Sequence, residues 1–290
     1  MYSRLATPRA TISRLQELGL YTKKSLGQHF LVDDAVIGRI IDAAALSMDD
    51  MVIEVGPGIG TLTLALQDTG AHLIAVEYDK DLVEPLRTIT DPSLTTVLQA
   101  DAARLKAEEI YQVLDGIVPA KGMSLHLVSN LPYQVAATVV LRFFEMFPQL
   151  ESATVMVQRE VADRITASIG TKQYGGYTIK LQLLARVVKR FEVARNSFLP
   201  PPRVDSTVVR LQRDMLTDTA QHYERTRRLI DMAFAMRRKT LRNNLCVHLS
   251  AARVDKALDH VGIDKTIRAE KLDAQTFRVL AEVLFAYGGI

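Results

Sequence analysis

Short apolar runs alternate with segments of helical periodicity through the middle of the chain, and this alternation limits the folds open to it. Helical segments follow each of the first four runs. The five runs cover residues 51–55, 73–77, 95–99, 125–129 and 153–158. Strands and helices in this order build a parallel sheet joined by crossover helices. Two further strands are expected at 184–193 and 206–211, so the sequence predicts an α/β fold with a Rossmann-like sheet.

Strand patterns cease near residue 213, and helical patterns take over. Helices are expected near 221–235, 237–249, 253–260 and 273–286. At 290 residues and 48% hydrophobic, the chain is long enough for one large domain or two unequal ones. The polar, glycine-containing loop 170–176 is expected to be mobile. We expect three parts: a helical N-terminal extension over 1–22, a sheet domain over 23–212, and a small all-helical C-terminal domain over 213–290.

Charge is spread unevenly, although the formal net charge is only +3. Residues 1–27 hold five Lys or Arg and one acidic residue. Residues 213–290 hold 14 basic and 10 acidic residues. The remaining middle, 28–212, holds 17 basic and 22 acidic residues. Basic ends around an acidic centre are typical of a protein that grips a polyanion at the margins of its site. Ordinary solvated helix faces are the alternative explanation.

The cysteine and histidine content argues against a metal site. The single cysteine, Cys246, excludes a disulfide framework and a cysteine metal cluster. The six histidines are scattered without metal-ligand spacing, so no bound metal is expected. A reducing, cytoplasmic compartment fits this composition. No apolar run reaches the roughly 18 residues that a membrane helix needs, and we expect no membrane association.

The stretch Ser129-Asn130-Leu131-Pro132-Tyr133 ends the fourth strand and carries the most specific chemistry. Pro132 stops the strand, which leaves the main-chain carbonyl of Leu131 without a ladder partner. The side chain of Asn130 adds a second acceptor, and Tyr133 adds a flat ring with a polar tip. Two acceptors beside an aromatic plate suit a planar group with an exocyclic amine, such as adenine. The alternative is a strand that ends in a turn, with Tyr133 in the core.

Three other strand ends carry residues suited to a nucleotide-like ligand. Gly56, Gly58 and Gly60 follow the first strand, and glycines there let the main chain approach a ligand closely. Their spacing departs from the dinucleotide fingerprint, which suits a ligand without a pyrophosphate; a plain tight turn is the alternative. Glu77 ends the second strand and could accept from ribose hydroxyls, or be a surface acid. Asp101 follows the third strand and could accept from an adenine amine, or cap the next turn.

With three further stretches, these strand ends resemble the small-subunit ribosomal RNA adenine-N6 dimethyltransferases of the KsgA type, which use S-adenosylmethionine. The stretches are KSLGQHFL at 24–31, QREVA at 158–162 and FLPPPRVDS at 198–206. The resemblance runs from about residue 20 to the end of the chain. The Erm resistance methyltransferases, which act on large-subunit (23S) RNA, are related. The proline-rich segment at 198 and the helical tail favour the KsgA type.

The resemblance implies a Rossmann-like methyltransferase sheet that binds S-adenosylmethionine at its strand ends, without a metal. Many members carry Asn where His29 stands, and a lone His is often structural. The implied cofactor contacts are His29, Leu31, Gly56, Gly58, Glu77, Asp101 and Asn130.

We expect direct displacement at the sulfonium, in which the enzyme contributes mainly by positioning the adenine N6 amine. The oxygens of Asn130 and Leu131 would accept the N–H groups of that amine, with Pro132 fixing the turn between Leu131 and Tyr133. Tyr133 would stack on one face of the base. Phe198 is the candidate for the other face, with a core position beside a rigid loop as its alternative.

The resemblance also implies the substrate: two adjacent adenines in a 3′-terminal hairpin loop of 16S RNA, within a small ribosomal subunit or its precursor. A monomer is expected. Two alternatives remain, an Erm-like enzyme for 23S RNA and a ribosome-assembly factor whose binding matters more than its chemistry. A cluster of cations on the first tail helices suits phosphate contact, or is a solvated face; it comprises Arg225, Arg227, Arg228, Arg237, Arg238, Lys239 and Arg242.

Overall fold

The computed structural model describes residues 1–20, 28–113, 124–214 and 220–286. The stretch 24–27, part of a motif, and residues 215–219, near the expected domain boundary, lie outside this described part. Two compact units divide the chain: Met1–Ala162 with Val187–Arg213, and Asp163–Arg186 with Asp214–Ile290. No helix in the described ranges is long and apolar enough to cross a bilayer.

Nine strands and twelve α-helices run through the described residues. The strands are β1 (Phe30–Leu31), β2 (Met51–Val55), β3 (His72–Glu77), β4 (Thr95–Gln99), β5 (Leu125–Asn130), β6 (Leu150–Gln158), β7 (Ala185–Val193), β8 (Phe198–Leu199) and β9 (Ser206–Arg213). The helices are α1 (Pro8–Glu17), α2 (Asp34–Ala44), α3 (Thr61–Gln67), α4 (Lys80–Arg87), α5 (Ala107–Val113), α6 (Ala136–Met146), α7 (Arg159–Ile165), α8 (Gly176–Gln182), α9 (Ala220–Ala233), α10 (Leu241–Leu245), α11 (Ala251–Val261) and α12 (Ala274–Ala286).

The first unit is built on a seven-stranded sheet with the order β4-β3-β2-β5-β6-β9-β7. Strands β2 to β6 pair in parallel, which confirms the predicted Rossmann-like core. Their register is nearly level, since Val55 lies opposite Val76 and Glu77 opposite Gln99. The carboxyl ends of these strands therefore meet at one edge, where open α/β sheets bind ligands.

The last two strands make the sheet mixed. Strand β9 inserts between β6 and β7 and runs antiparallel to β6. Strands β1 and β8 form a separate antiparallel pair in which Leu31 lies opposite Phe198. A helix, α8, occupies residues that the sequence analysis assigned to the end of a loop and the approach to a strand. Strand pairing over long sequence distances is not encoded in local periodicity, so these features escaped prediction.

The second unit packs helices around one apolar core. Tyr174, Ile179 and Leu183 are buried in the same cluster as Leu229 and Phe277, and the Tyr174 hydroxyl donates to the carbonyl of Leu272 at 3.0 Å. The expected boundary near residue 213 leaves residues 163–186 with the sheet, whereas their contacts group them with the C-terminal helices. Buried side chains, rather than position along the chain, decide this membership.

The N-terminal extension packs on the first unit as an ordered arm. Thr7 caps α1 by accepting from the amide of Ala10. The main-chain amides of Tyr2 and Ser3 both donate to the carboxylate of Asp34 at 2.8 Å. Leu15 is buried in a cluster with Phe30 and other apolar side chains of the first unit. These contacts fix the arm beside β1 and α2.

A buried polar cluster lies near the amino ends of β2, β5 and β6, at the edge opposite the strand tips described above. His126 Nδ1 lies 2.8 Å from Ser152 Oγ, and its Nε2 lies 3.4 Å from Asp50 Oδ2. Burial lowers the pKa of His126, and the nearby Asp50 carboxylate offsets this only in part. The fold therefore favours the neutral imidazole.

Acid should destabilise the protein partly through His126. Because its folded pKa lies below the unfolded value of about 6.5, its contribution is complete above that pH and is lost as pH falls through the folded pKa. Melting curves between about pH 8 and about pH 5 should show a steeper loss for the wild type than for His126→Gln. At neutral pH this variant should cost about 1–3 kcal/mol, because Ser152 and Asp50 lose a partner. His248→Gln, at an exposed position, should keep the wild-type slope, and equal slopes for all three proteins would contradict the assignment.

Candidate active site at the carboxyl edge of the sheet

A cavity of about 360 Å³ opens at the carboxyl ends of β2, β3, β4 and β5. All of the sequence-predicted site residues except Phe198 line it. They are His29, Leu31, Gly56, Gly58, Glu77, Asp101, Asn130, Leu131, Pro132 and Tyr133. The structure thus brings together residues that are spread over a hundred positions in the sequence, and it does so through the level ends of neighbouring strands.

The glycine loop after β2 approaches the end of β5 very closely. Gly56 has a φ of +70°, and its amide donates to the carbonyl of Val76 at 2.9 Å. A Cβ at Gly56 would lie 3.0 Å from Cδ and Cγ of Pro132. Only glycine combines this left-handed conformation with so short an approach. The loop is therefore more than a generic tight turn, because its shape depends on the segment that carries Asn130.

Glu77 ties the glycine loop to the end of β3. Its Oε2 accepts from the amide of Gly58 at 3.0 Å, and its Oε1 accepts from the amide of Asp79 at 2.8 Å. The residue is only 6% exposed, and burial raises the pKa of its carboxyl in spite of these two bonds. The surface-acid alternative for Glu77 does not apply. Each carboxylate oxygen keeps a second lone pair for a ligand hydroxyl.

Asp101 is placed for both of the roles that the sequence suggested, a cap of the next turn and a contact to a ligand. Its Oδ1 accepts from the amide of Ala103 at 2.9 Å, so the side chain does cap the turn that follows β4. The same residue lines the cavity and is partly exposed there. Its Oδ2 lies 3.7 Å from Nε of the exposed Arg104, a distance typical of a weak surface pair.

Asn130 is the last residue of β5, and a hydrogen bond from its amide nitrogen orients its side chain. Its Nδ2 donates to the main-chain carbonyl of His29 at 3.4 Å, which leaves Oδ1 as the acceptor of the amide group. The amide of the next residue, Leu131, donates to the carbonyl of Met156 at 3.1 Å. None of the main-chain bonds in the described turns and loops uses the carbonyl of Leu131.

Tyr133 lies at the cavity wall and not in the core. Its hydroxyl lies 2.8 Å from Ser206 Oγ, and burial raises the pKa of the phenol. The ring stacks on the imidazole of His29, with centroids 5.6 Å apart and planes inclined by 29°. The ring is thus fixed at its tip and on one face, as a stacking platform requires.

The structure contradicts the predicted position of Phe198. It was expected to face the cavity as a second stacking surface, but it is 2% exposed and packs in the apolar cluster that contains Leu31 and Val193. The pairing of β8 with β1 turns its side chain into the core. The alternative of a core phenylalanine beside a proline-rich loop is what the structure contains.

Glu54 is a site residue that the sequence analysis missed. It lies within β2, lines the cavity and is 1% exposed. Burial raises the pKa of its carboxyl to about 8, and the nearby Glu77 adds to this. Its Oε2 has no hydrogen-bond partner among the described residues. A glutamate inside an otherwise apolar run, residues 51–55, was the signal, because buried acids of this kind mark functional sites.

No group of three or more His, Cys, Asp or Glu side chains in the described ranges is arranged to hold a metal ion. The polar groups that do converge on the cavity are carboxylates, an amide oxygen and main-chain groups around a close-packed glycine loop. This donor set suits a nucleoside with a cationic substituent. With the strand order, it places the chain among the Rossmann-like S-adenosylmethionine-dependent methyltransferases.

Comparisons with known proteins narrow that class. A family model described as ribosomal RNA adenine dimethylase matches residues 19–285. The chain belongs to this family. A protein of Rhodococcus erythropolis named ribosomal RNA small subunit methyltransferase A is 40% identical over 296 residues, covering 96% of this chain and 96% of its own.

Two solved structures agree with the fold. The 23S rRNA methyltransferase ErmE is 27% identical, with a TM-score of 0.64 over 88% of this chain and 99% of its own. A dimethyladenosine transferase from Plasmodium falciparum is 24% identical, with a TM-score of 0.70 over 87% of this chain and 96% of its own. At that identity the second likeness supports the fold alone.

The raised pKa of Glu54 predicts pH-dependent cofactor binding. Below about pH 8 the carboxyl is protonated, and a cationic ligand must displace that proton to gain an ion pair. Affinity for S-adenosylmethionine, measured by titration calorimetry, should therefore rise with pH below this value, by at most about tenfold per pH unit. Glu54→Gln should flatten the dependence, whereas Glu108→Gln, at an exposed position, should not. Wild-type affinity that is constant with pH would refute the link between Glu54 and the cofactor.

Proposed function

We propose that the protein transfers methyl groups from S-adenosylmethionine to N6 of two adjacent adenines in the 3′-terminal hairpin loop of 16S ribosomal RNA. The observation that carries this proposal is the meeting of Asn130, Leu131 and Tyr133 with Glu77 in one cavity. The near full-length likeness to a small subunit methyltransferase supports the choice of RNA. A monomer, working in the cytoplasm on a small subunit or its precursor, remains our prediction.

The cofactor end of the cavity is formed by β2, β3 and β4. Glu77 would accept from the ribose hydroxyls with lone pairs that its bonds to Gly58 and Asp79 leave free. The main chain at Gly56 and Gly58 permits close approach of the ligand. Asp101 would receive the adenine amine, and Glu54 would supply a buried negative charge for a cationic group once its proton is displaced. No metal is assigned a role in this scheme.

The substrate end is formed by Asn130, Leu131 and Tyr133. S-adenosylmethionine supplies, when bound, a methyl group activated by its sulfonium. The chain's part is to hold the amine of the target base. Oxygens of Asn130 and Leu131 would accept its N–H groups, two before the first transfer and one before the second. They would orient the nitrogen and stabilise the positive charge that develops on it until a proton is released to solvent. Tyr133 would stack on the base, which must be unpaired or flipped out to enter.

The second unit supplies the residues proposed to grip RNA, but the basic cluster is not uniform. Arg227 and Arg228 pair with Glu224, and Arg242 pairs with Asp255 at 2.6 Å. The guanidinium of Arg225 lies 4.5 Å from the ring centroid of Phe285. These four cations therefore already contact acidic or aromatic side chains of the second unit. The three that form no such contact with the described residues are exposed between α9 and α10: Arg237, Arg238 and Lys239.

Site mapping tests the reaction. Purified protein, incubated with S-adenosylmethionine and small subunits that lack the modification, should yield two adjacent N6,N6-dimethyladenosines near the 3′ end of 16S RNA. Asn130→Ala should lose at least about 100-fold in rate, because an acceptor for the reacting amine is gone, and should melt like the wild type. Asn196→Ala, at an exposed position, should stay active. Modification confined to 23S RNA would overturn the proposal and favour an Erm-like activity.

RNA affinity tests the division of the basic cluster. Arg237→Ala with Arg238→Ala should weaken binding to small-subunit RNA and lower the slope of log K against log salt by about 2, one per lost phosphate contact. Arg227→Ala with Arg228→Ala removes the same charge from paired positions and should leave the slope unchanged. Binding is measured by filter retention over a salt series. Equal losses for the two double variants would show that the exposed cations have no special part.

A role in ribosome assembly is the second candidate, and the exposed cations between α9 and α10 favour it because they would bind RNA without chemistry. The Asn130→Ala variant separates the two roles in cells. Full rescue of a deletion strain by that variant would assign the growth phenotype to binding. Failure to rescue, with normal binding, would assign it to methylation.

A further inference from the structure

A buried asparagine, Asn244, holds the exposed basic turn, residues 234–240, that joins α9 to α10. It lies in α10 and is 2% exposed. Its Nδ2 donates to the main-chain carbonyl of Ala233 at 2.7 Å and to that of Met236 at 3.2 Å. Its Oδ1 accepts from the amide of Met236 at 3.2 Å. Both amide hydrogens and the oxygen of this side chain therefore bind the main chain at the start of the turn.

These bonds lie where α9 ends. Ala233 is its last residue, and the final carbonyls of a helix have no partner within the helix. A glycine commonly ends a helix, but the sequence Phe-Ala-Met-Arg-Arg-Lys at 234–239 contains none. Five of these six residues are good helix formers. The local sequence therefore favours a longer α9, and the long-range bonds of Asn244 oppose that continuation.

Both ends of the basic turn are anchored in the second unit. The side chain of Phe234 packs against the apolar core of that unit. The amide of Leu241, which is buried, donates to the carbonyl of Ile267 at 2.8 Å. The three exposed cations of the basic cluster lie between these anchors. Asn244 adds a third attachment at Met236, directly before the cations.

We infer that Asn244 is a positioning residue for RNA binding, because it ends α9 and fixes the basic turn in the shape that presents Arg237, Arg238 and Lys239 together. A turn that is already ordered loses less conformational entropy when its cations meet phosphates, so the same charges bind RNA more tightly. The inference rests on the proposed function, since it depends on the part given to these cations in gripping RNA. Asn244 is itself buried and acts only through the turn.

A double-mutant cycle on RNA affinity tests this role. Asn244→Ala removes no charge, yet it should weaken binding to small-subunit RNA about tenfold at about 0.1 M salt, the equivalent of one phosphate contact. The slope of log K against log salt should fall by about 1. In a triple variant that carries Arg237→Ala, Arg238→Ala and Lys239→Ala, the same substitution should change affinity by less than about twofold. An effect of full size in that background would overturn the inference, because Asn244 would then act without the cations.

Two control variants separate this role from a loss of stability. Asn243→Ala removes the same kind of side chain one residue earlier, at an exposed position, and should bind RNA like the wild type. Thr226→Ala removes a buried hydroxyl that donates to the carbonyl of His222 at 3.0 Å, about two helical turns before the basic turn. It should lower the melting temperature but keep RNA affinity at temperatures where it is folded. Equal losses of affinity in Thr226→Ala and Asn244→Ala would reduce Asn244 to a residue of general stability.

Hydrogen exchange on the wild-type protein tests the same attachment without a variant. Met236 is 40% exposed, yet its amide is bonded to Asn244 and should exchange at least about tenfold more slowly than an unstructured amide. Asn244→Ala, where it folds, should remove most of this protection. Exchange of the wild-type Met236 amide at the unprotected rate would show that Asn244 does not hold the turn.

Failure of this inference and failure of the proposed function give different results. Weaker RNA binding by the triple variant, with wild-type binding by Asn244→Ala, would overturn only the role of Asn244. Unchanged RNA binding by the triple variant would instead contradict the proposed grip on RNA, even where the Met236 amide is protected.

Discussion

The contact between Gly56 and Pro132 is the constraint on which the rest of the site depends. The parallel pairing of β2 with β5 brings the two strand ends side by side. Pro132 follows the end of β5, and its Cδ and Cγ lie only 3.0 Å from the position that a Cβ of residue 56 would take. The amide of Val55 also donates to Ser129 Oγ at 2.8 Å. A larger residue at position 56 would be strained at a φ of +70° and would crowd Pro132, in the segment proposed to bind the base. The proposed transfer needs that segment and the glycine loop to lie close together.

The parts of this arrangement that could be predicted are those encoded over short sequence distances. Apolar runs that end at Glu77 or Asn130 predict buried strands. The alternation of these strands with helices predicts that they are parallel. Parallel strands with level ends bring their carboxyl termini to one edge, so local patterns sufficed to group Glu77 with Asn130.

The parts that could not be predicted depend on pairings between distant segments. Phe198 was the candidate for the second face of the base, yet the two-residue pairing with β1 buries it. The position of β9 between β6 and β7 is likewise decided by long-range hydrogen bonds. Residues 163–186 join the helical unit because Tyr174 and Ile179 are buried there. Glu54 is a different case, since this buried acid of the cavity lies in an apolar run that already served to predict a strand.

The charges of the chain suit two ligands of opposite sign at separate places. The cavity holds two buried carboxyls, Glu54 and Glu77, whose pKa values are raised by burial. A positive group or a further hydrogen-bond donor of a ligand would stabilise their charged forms. The exposed cations of the basic cluster, Arg237, Arg238 and Lys239, lie in the helical unit, and phosphate is the partner proposed for them. Within the cavity, the groups proposed to hold the substrate are the amide of Asn130, the carbonyl of Leu131 and the ring of Tyr133. In the proposed reaction these groups take no covalent part and would hold an amine in line with the methyl group. In the proposed reaction, alignment and charge stabilisation are therefore what this chain would contribute.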